Sequence, residues 1–271
     1  MRDAKQSSPY DHSSHPSFSA YYTEQSALPR TRERFARVRD KALRLVASEH
    51  GHTGPLKVLD IGCGAGTQAW LWTELGHHVH GLDVNGELIE VARERARKDG
   101  LQVRFDVGTA TSLPYEDGVM DVCLMPELLE HVEDWQTCVR EAVRVLKPGG
   151  LLYLSTTNAL CPAQSEFNLP FYSWYPGPLK RWVERLSVTT RPDLANFARY
   201  PAVHWFTFAE LRAFLAPMGV RALGRMDVYD ASGRPAMVRA AVWAIQNLRL
   251  LDLLTQVAME GTIVFAIKDR R

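Results

Sequence analysis

Short apolar runs alternate with amphipathic segments through the middle of the chain. The runs predict buried strands at 57–61, 79–84, 103–107, 120–125 and 151–156. The segments between them, such as 65–75 and 87–98, carry their apolar residues at helical spacing. Strands that alternate with helices form parallel sheets covered on both faces, and right-handed crossovers make such a sheet doubly wound. The pattern therefore predicts an α/β fold.

The flanking segments divide the chain into further units. Residues 1–27 begin with a stretch rich in serine, histidine and proline and predict a mobile tail, whereas 28–158 comprises a helix followed by the core. Residues 159–205 are rich in aromatic side chains and proline, which indicates an insert that serves as a substrate lid. Residues 206–271 resume the core pattern, with helices at 206–219 and 235–256 and strands at 221–228 and 262–267.

Composition and charge exclude several classes of partner. The 271-residue chain has a formal net charge of +1, so no general attraction to nucleic acid is expected. The longest apolar tract, 240–267, is interrupted by polar and charged residues, which argues against a membrane span. The four cysteines are too scattered for a metal clip, and no metal is expected. A polar N-terminus without an apolar signal core predicts a cytoplasmic protein, and the oligomeric state stays open.

A glycine-rich turn follows the first predicted strand. Gly62, Gly64 and Gly66 lie between this strand and the next helix, where the backbone can bend sharply and a ligand can lie against it. The free N–H groups of the helix N-terminus add to the site, so a nucleotide-like ligand is expected at this edge. A dinucleotide fingerprint would place its third glycine at position 67, which is Thr67, and this weakens the case for NAD.

Asp83 ends the second predicted strand, 21 residues after Gly62. An acidic residue at this point accepts hydrogen bonds from the hydroxyls of a ribose. Val84 beside it can pack on an adenine ring. The alternative is that Asp83 caps the helix that begins near Glu87.

Five stretches resemble, in order and in spacing, the successive motifs of the class I S-adenosylmethionine-dependent methyltransferases. They are VLDIGCGAGT at 58–67, HGLDV at 80–84, LPY at 113–115, LEHV at 129–132 and RVLKPGG at 144–150. Within that superfamily the chain is most similar to the small-molecule branch, which includes the ubiquinone-biosynthesis O-methyltransferases. The resemblance implies a Rossmann-like sheet, mostly parallel with an antiparallel last strand, and S-adenosylmethionine as cofactor.

The resemblance also implies roles for residues at the carboxyl edge of the sheet. Gly62 and Gly64 would line the methionine part of the cofactor, and Asp83 would hold its ribose. Thr109 would border the adenine, although the family often has aspartate at this position, and a threonine hydroxyl can still accept a hydrogen bond. The complete set of expected cofactor ligands is Asp60, Gly62, Cys63, Gly64, Asp83, Val84, Thr109, Ala110 and Met125.

Candidate catalytic and acceptor-binding residues come from the same edge and from the insert. His131 is the first candidate for a general base and Glu127 the second, because both follow the fourth strand. The alternative for His131 is a structural role in its turn. Tyr172, Trp174 and His204 are predicted to bind the acceptor, and the alternative is that the insert has a small core of its own.

The sequence therefore predicts transfer of a methyl group to a small molecule, with oxygen as the expected acceptor atom in a quinone-, polyketide- or sugar-like compound. Methylation of carbon or nitrogen is a close alternative. A protein or nucleic-acid methyltransferase, a non-catalytic nucleotide-binding protein and an NAD-dependent oxidoreductase are the remaining alternatives. The Lys180-Arg181 pair beside Trp182 favours an anionic or membrane-adjacent substrate, which would suit a hydrophobic or lipid-linked acceptor.

Overall fold

The fold is built on one seven-stranded sheet with the strand order β3-β2-β1-β4-β5-β7-β6. A computed structural model describes residues 16–50, 54–196, 202 and 204–270. The strands are β1 Lys57–Ile61, β2 His78–Asp83, β3 Val103–Val107, β4 Met120–Pro126, β5 Leu146–Thr157, β6 Val220–Gly224 and β7 Gly261–Lys268. The first five strands are parallel, and β7 runs antiparallel to β5 and β6. This confirms the predicted Rossmann-like α/β fold with its antiparallel last strand.

Helices cover both faces of the sheet. They are α1 Pro16–Ala27, α2 Pro29–His50, α3 Thr67–Thr73, α4 Gly86–Lys98, α5 Trp135–Val145, α6 Gly177–Thr189, α7 Phe208–Leu215, α8 Ala236–Asn247 and α9 Arg249–Val257. The apolar residues of α5 and α7 pack on one face, and those of α2, α3 and α4 pack on the other. Because both faces are covered, the central strands are apolar throughout, which is why their positions could be predicted.

The N-terminal segment differs from the expected tail, because residues 16–27 form helix α1. The guanidinium of Arg95 in α4 donates hydrogen bonds to the Ser26 hydroxyl at 2.8 Å and to the Thr23 carbonyl at 2.9 Å. The Thr67 hydroxyl donates to the Ser26 carbonyl at 2.9 Å. These contacts come from distant parts of the chain and hold α1 against the core; residues 1–15 lie outside the described part.

The insert between β5 and α7 has a small core of its own. Phe167, Tyr172 and Val183 are buried together, with the rings of Phe167 and Tyr172 stacked at 4.0 Å. The sequence left such a core open as the alternative to an insert that binds the acceptor. Residues 197–201 and 203 of the insert lie outside the described residues.

The C-terminal helical segment is broken into two helices. The expected helix at 235–256 is interrupted at Leu248, whose extended backbone separates α8 from α9. The Leu248 N–H donates to the Ala244 carbonyl at 2.8 Å, which completes the last helical hydrogen bond of α8 before the chain turns. Among the described residues, no helix is long and apolar enough to cross a bilayer.

Candidate active site

The glycine turn forms a tight bend at the carboxyl end of β1. Gly62, Gly64 and Gly66 all have positive φ angles, of 74°, 51° and 81°. The N–H groups of Gly62 and Cys63 both donate to the Leu82 carbonyl, at 2.8 and 3.1 Å, which fastens the bend to β2. A methyl group added at Gly64 would meet no atom within 4 Å, so the bend is open on that side. A ligand can therefore lie directly on the backbone there.

Asp83 lies against this bend. Its carboxylate accepts hydrogen bonds from the N–H groups of Gly64 and Asn85, both at 2.8 Å. Each oxygen has a further lone pair for a ligand hydroxyl. The predicted alternative, a helix cap, is wrong, since the Asn85 side chain caps α4 by accepting from the Leu88 N–H at 3.0 Å. Burial raises the pKa of Asp83, and the hydrogen bonds from Asn85 and Gly64 oppose that shift.

Two buried polar side chains beside the bend lack hydrogen-bond partners in the described part of the chain. They are Asp60, with both carboxylate oxygens, and Gln68, with both amide atoms. Burial raises the pKa of Asp60 to about 7; the nearby Ala69 N–H, which lies outside hydrogen-bond geometry, opposes this shift, and the charge of Asp83 adds to it. Buried polar groups are normally paired, so such a site fits a ligand with ammonium and carboxylate groups. Gln68 was not predicted, because a polar residue in a first helical turn is usually exposed.

The remaining predicted cofactor ligands fall into two groups. Val84 and Thr109 are exposed beside Asp83, where the Gly108 N–H joins the ends of β2 and β3 by donating to the Asp83 carbonyl at 2.9 Å. Ala110 is partly buried against the core below them. The side chains of Cys63 and Met125, two further predicted cofactor ligands, are buried in the core. Only their backbone atoms are available to a cofactor.

Glu127, the second candidate base, follows β4 with a positive φ of 52°. Its N–H donates to the Ser155 carbonyl at 2.7 Å. Both carboxylate oxygens accept hydrogen bonds from the guanidinium of Arg34 in α2. The carboxylate is therefore engaged in an ion pair, which makes Glu127 a link between α2 and the site rather than a ready base.

The two candidate histidines approach the same turn. His131 ends a single 3₁₀ turn, half-buried, with its N–H donating to the Leu128 carbonyl at 3.0 Å. The His204 N–H donates to the Glu130 carbonyl at 3.2 Å. The His204 Nε2 is buried without a partner among the described residues, and burial lowers the pKa of the ring. The structure thus brings His204 to the turn that contains His131.

The insert residues predicted to bind the acceptor are positioned differently. Tyr172 is fully buried in the insert core, and its hydroxyl hydrogen bonds with the Glu184 carboxylate at 3.2 Å. This corrects its predicted role, because neither ring nor hydroxyl faces an open pocket. Trp174 is exposed, stacks on Phe171 at 5.8 Å and donates from Nε1 to the Leu160 carbonyl at 2.9 Å.

An acidic cluster lies at this edge and consists of Glu127, which the sequence predicted as a candidate base, and of Glu130 and Glu166, which it did not predict; the charges of Glu127 and Glu166 both act on Glu130. Glu130 is buried and accepts a hydrogen bond from the Thr156 hydroxyl at 2.8 Å. Burial raises the pKa of Glu130 well above its ordinary range. Burial also raises the pKa of Glu166 to about 7, against an opposing hydrogen bond from the backbone of Ala202.

Helix α1 covers the acidic cluster with two tyrosines. Burial raises the pKa of Tyr22, and the charges of Glu166, Glu130 and Glu127 raise it further. The ring of Tyr21 packs edge-on against that of Tyr22, with centroids 5.2 Å apart. Part of the segment that was expected to be a tail therefore lies beside the acidic cluster.

Leu128 connects the acidic cluster to the glycine bend. It stands between Glu127 and Glu130 in sequence, and its Cδ1 would lie 2.9 Å from a methyl group added at Gly62. The turn that contains Glu127 and Glu130 therefore contacts the glycine bend through Leu128. Across the described residues, no group of histidine, cysteine or acidic side chains is arranged to hold a metal ion.

Comparison with known proteins identifies the class. A family model described as a methyltransferase domain matches residues 59–154. Norajmaline N-methyltransferase of Rauvolfia serpentina is 39% identical over 242 residues, which cover 85% of this chain and 80% of the relative. A ubiquinone biosynthesis O-methyltransferase of Xanthomonas euvesicatoria pv. vesicatoria is 40% identical over 103 residues, 38% of this chain and 43% of the relative. The chain thus spans under half the length of that relative.

Solved structures agree on the fold. The plantazolicin methyltransferase BamL superposes with a TM-score of 0.57 at 16% identity, over 95% of this chain and 92% of that one. The YcgJ protein of Bacillus subtilis superposes with a TM-score of 0.54 at 21% identity, over 85% of this chain and 99% of that one. The chain belongs to the class I S-adenosylmethionine-dependent methyltransferases. S-adenosylmethionine is its cofactor, and the open bend at Gly64 with the unpartnered Asp60 and Gln68 fits it.

Proposed function

We propose that this methyltransferase moves a methyl group to the nitrogen of a small-molecule amine held at the acidic cluster. The observation that carries the proposal is the buried Glu130, in the turn whose Leu128 lies against the glycine bend, with the half-buried Glu166 close enough for its charge to act on Glu130. A cationic amine is the ligand that such a site favours, because it pairs with carboxylates that are otherwise costly to bury.

The residues around the site would have separate roles in binding the cofactor and the acceptor. S-adenosylmethionine, when bound, would supply the methyl group, with the neutral thioether S-adenosylhomocysteine as the leaving group. Gly62 and Gly64 would support its methionine part, and Asp83 would hold its ribose. The Glu130 carboxyl and the Tyr22 ring would enclose the acceptor and exclude water, which orients the nucleophile for in-line attack.

Glu166 is the proposed proton acceptor. An amine reaches the enzyme mainly as its ammonium form and must lose a proton before its nitrogen can form a bond to the methyl carbon. A carboxylate whose pKa is about 7 is well matched to this task near neutral pH. The proton moves from the ammonium nitrogen to the Glu166 carboxylate, and the neutral nitrogen then attacks. His131 stays a candidate for the same role.

The pattern of relatives also supports nitrogen. The alignment with norajmaline N-methyltransferase covers 85% of this chain, whereas the alignment with the ubiquinone biosynthesis enzyme covers 38%. The family model itself ends at residue 154, before the insert begins. The longer alignment therefore extends well beyond the family core, and the insert and α1 are where acceptor selectivity is expected to lie.

Oxygen methylation, which the sequence predicted, is the second candidate. The ubiquinone biosynthesis relatives favour it, and a carboxylate with a pKa of about 7 can also accept a proton from a phenol. A hydrophobic or lipid-linked acceptor remains compatible with either atom. The two candidates differ in the charge of the acceptor, which makes them separable by experiment.

A paired acceptor panel tests the proposal. Each compound is offered as an amine and as the hydroxyl analogue of the same skeleton, and methylated products are identified by mass spectrometry. We expect amines to be methylated, at a rate that rises with pH through about 7. Glu166→Gln should lower turnover about a hundredfold and remove that rise. Glu116→Gln, an exposed carboxyl outside the acidic cluster, is the matched control and should behave as the wild type.

Methylation of the hydroxyl analogues alone would overturn nitrogen as the acceptor atom while leaving a methyltransferase in place. If the rate of Glu166→Gln still rises with pH and that of His131→Ala does not, the base is His131 and not Glu166. The first result therefore tests the acceptor atom, and the second tests the identity of the base.

A further inference from the structure

A cavity of about 220 Å³ lies beside the glycine bend, bounded by the end of α1, by α3 and α4, and by β3. Ala65 and Gly66 of the bend form part of its wall, whereas Gly62, Gly64 and Asp83 do not line it. No residue of the acidic cluster lines it either. The cavity is therefore separate from the expected sites of the cofactor and of the acceptor. We call it the α1–α4 cavity.

The floor of the α1–α4 cavity is apolar. Its apolar side chains belong to α4, to β3 and to the loop between them, and they are Ala92, Ala96, Leu101, Val103 and Phe105. The exposed Ala27 and Arg32 also line the cavity, so it opens to solvent where α1 meets α2. An apolar cavity of about 150 Å³ can hold a benzene ring, so an aromatic ring with a small polar group fits here.

Arg95 brings a positive charge to this apolar lining. Its half-buried side chain donates from Nη1 and Nη2 to the Ser26 hydroxyl at 2.8 Å, the Ala65 carbonyl at 3.2 Å and the Thr23 carbonyl at 2.9 Å. The Nε–H makes no hydrogen bond within the described residues. Burial lowers the pKa of Arg95, and no charge in the described part of the chain offsets that shift. A partly desolvated guanidinium without a carboxylate partner favours an anionic ligand.

Arg32 and Trp70 give the cavity a flat side wall. The Arg32 guanidinium stacks over the Trp70 ring, 3.8 Å from its centroid. The Trp70 Nε1–H donates to the Asp99 carboxylate at 2.8 Å, which holds the ring in place. Flat groups of this kind match the face of an aromatic ring better than an aliphatic chain.

The charges that line the α1–α4 cavity favour a monoanion. They are the guanidinium groups of Arg32 and Arg95 and the carboxylate of Asp99. Neither arginine is in an ion pair with any described residue. The lining therefore carries an excess of one positive charge, which one carboxylate balances. A phosphate dianion fits less well, because Asp99 would repel it and the apolar floor would not solvate its second charge.

We propose that the α1–α4 cavity binds a small aromatic monocarboxylate, with the ring on the apolar floor and the carboxylate on Arg95. The ligand would contact both α4 and the end of α1, and would therefore strengthen the hold of α1 on the core. Helix α1 also carries Tyr22, which lies beside the acidic cluster, so the cavity would act as a regulatory site for the acceptor region. This inference goes beyond methyl transfer and does not depend on which atom is methylated.

Titration with benzoate, followed by saturation-transfer NMR, tests the proposal. S-adenosylhomocysteine is kept at a saturating concentration so that the probe cannot enter the cofactor site. We expect benzoate to bind with a dissociation constant of about 1 mM or lower. Benzamide, its neutral isostere, should bind at least about tenfold more weakly, because it lacks the charge that pairs with Arg95. Inorganic phosphate should also bind at least about tenfold more weakly than benzoate.

Two variants change different parts of the cavity. Arg95→Gln removes the positive charge, whereas Ala96→Leu narrows the cavity and keeps the contacts of Arg95 with α1. Each should lower the affinity for benzoate at least about tenfold. Arg93→Gln is the matched control, because Arg93 on the same helix donates to the Phe105 carbonyl at 2.6 Å but does not line the cavity. It should bind benzoate as the wild type does.

Binding of S-adenosylhomocysteine by each variant verifies that the fold is intact. Equal affinity of the wild type for benzoate and benzamide would overturn the proposal, and this comparison needs no variant. A dissociation constant for benzoate above about 10 mM, or phosphate binding as tight as that of benzoate, would also overturn it. Unchanged benzoate binding in Ala96→Leu would place the probe outside the cavity, and unchanged binding in Arg95→Gln would remove the arginine from the site. Either result would contradict the proposal.

Discussion

Replacing Asp60 with asparagine should change how stability depends on pH. The carboxyl is buried at the end of β1 without a hydrogen-bond partner among described residues, and burial raises its pKa to about 7. The ordinary value is 3.8, so the difference corresponds to about 4 kcal/mol of folding free energy. Asparagine removes the titration while keeping nearly the same shape.

The pH window follows from the direction of the shift. Folding favours the neutral carboxyl, so its contribution is fully present below the unfolded pKa near 3.8 and is lost as the pH rises to about 7. The wild type should therefore lose stability relative to Asp60→Asn by about 1.4 kcal/mol per pH unit between these limits. Above them the difference should be constant.

Urea denaturation of both proteins without cofactor, at a series of pH values, measures this difference directly. Subtracting the two curves cancels the titration of Glu130, Glu166 and other groups that both proteins share. Parallel curves for the two proteins would refute the reasoning, because they would mean that Asp60 is ionised in the folded chain at the same pH as in the unfolded chain.

Asp60→Asn should also bind S-adenosylmethionine more weakly, since its amide carries no charge for the cofactor's ammonium group.

Further predictions concern the bend and the insert. Gly66→Ala should lower the free energy of unfolding by about 2 kcal/mol in a denaturation experiment. Residue 66 has a positive φ, and the new methyl group would lie 3.0 Å from Phe105. The new methyl group of Gly64→Ala would meet no atom within 4 Å, so this variant should lose only about 1 kcal/mol of stability. It should nevertheless weaken cofactor binding, measured by calorimetry, more than Gly66→Ala does. Tyr172→Phe removes the hydrogen bond to Glu184 and should cost about 1 kcal/mol in stability with the acceptor KM unchanged. A raised KM would restore Tyr172 as an acceptor ligand.

The cofactor side of the site could be predicted from the sequence, because local pattern determines it. Parallel strands that are buried on both faces are apolar runs, so β1 and β2 were found within a residue or two. Their carboxyl ends meet at one edge, which is why Asp83 was expected beside Gly64. The same continuous burial leaves the orientation of the Met125 side chain unpredicted, since a strand with two covered faces does not reveal which side chains reach the edge.

The acceptor side could not be predicted, because it is assembled from distant segments. Arg34 and Glu127 pair across 93 positions of sequence, and no local pattern predicts such a contact. Glu166 reaches the site only because the insert packs around Tyr172, whose burial the sequence left undecided. Helix α1 lacks a clear apolar stripe and is held through polar contacts such as that from Arg95 to Ser26.

Calorimetric titration of S-adenosylmethionine into the wild type, Asp83→Ala and Asp121→Ala tests the central claim most directly. Asp121 is the matched control, because its carboxylate also accepts a backbone N–H, from Lys57 at 2.8 Å, but at the opposite edge of the sheet. The account predicts that Asp83→Ala binds about 1–3 kcal/mol more weakly, while Asp121→Ala binds as the wild type does. Equal affinity of the wild type and Asp83→Ala would contradict the account.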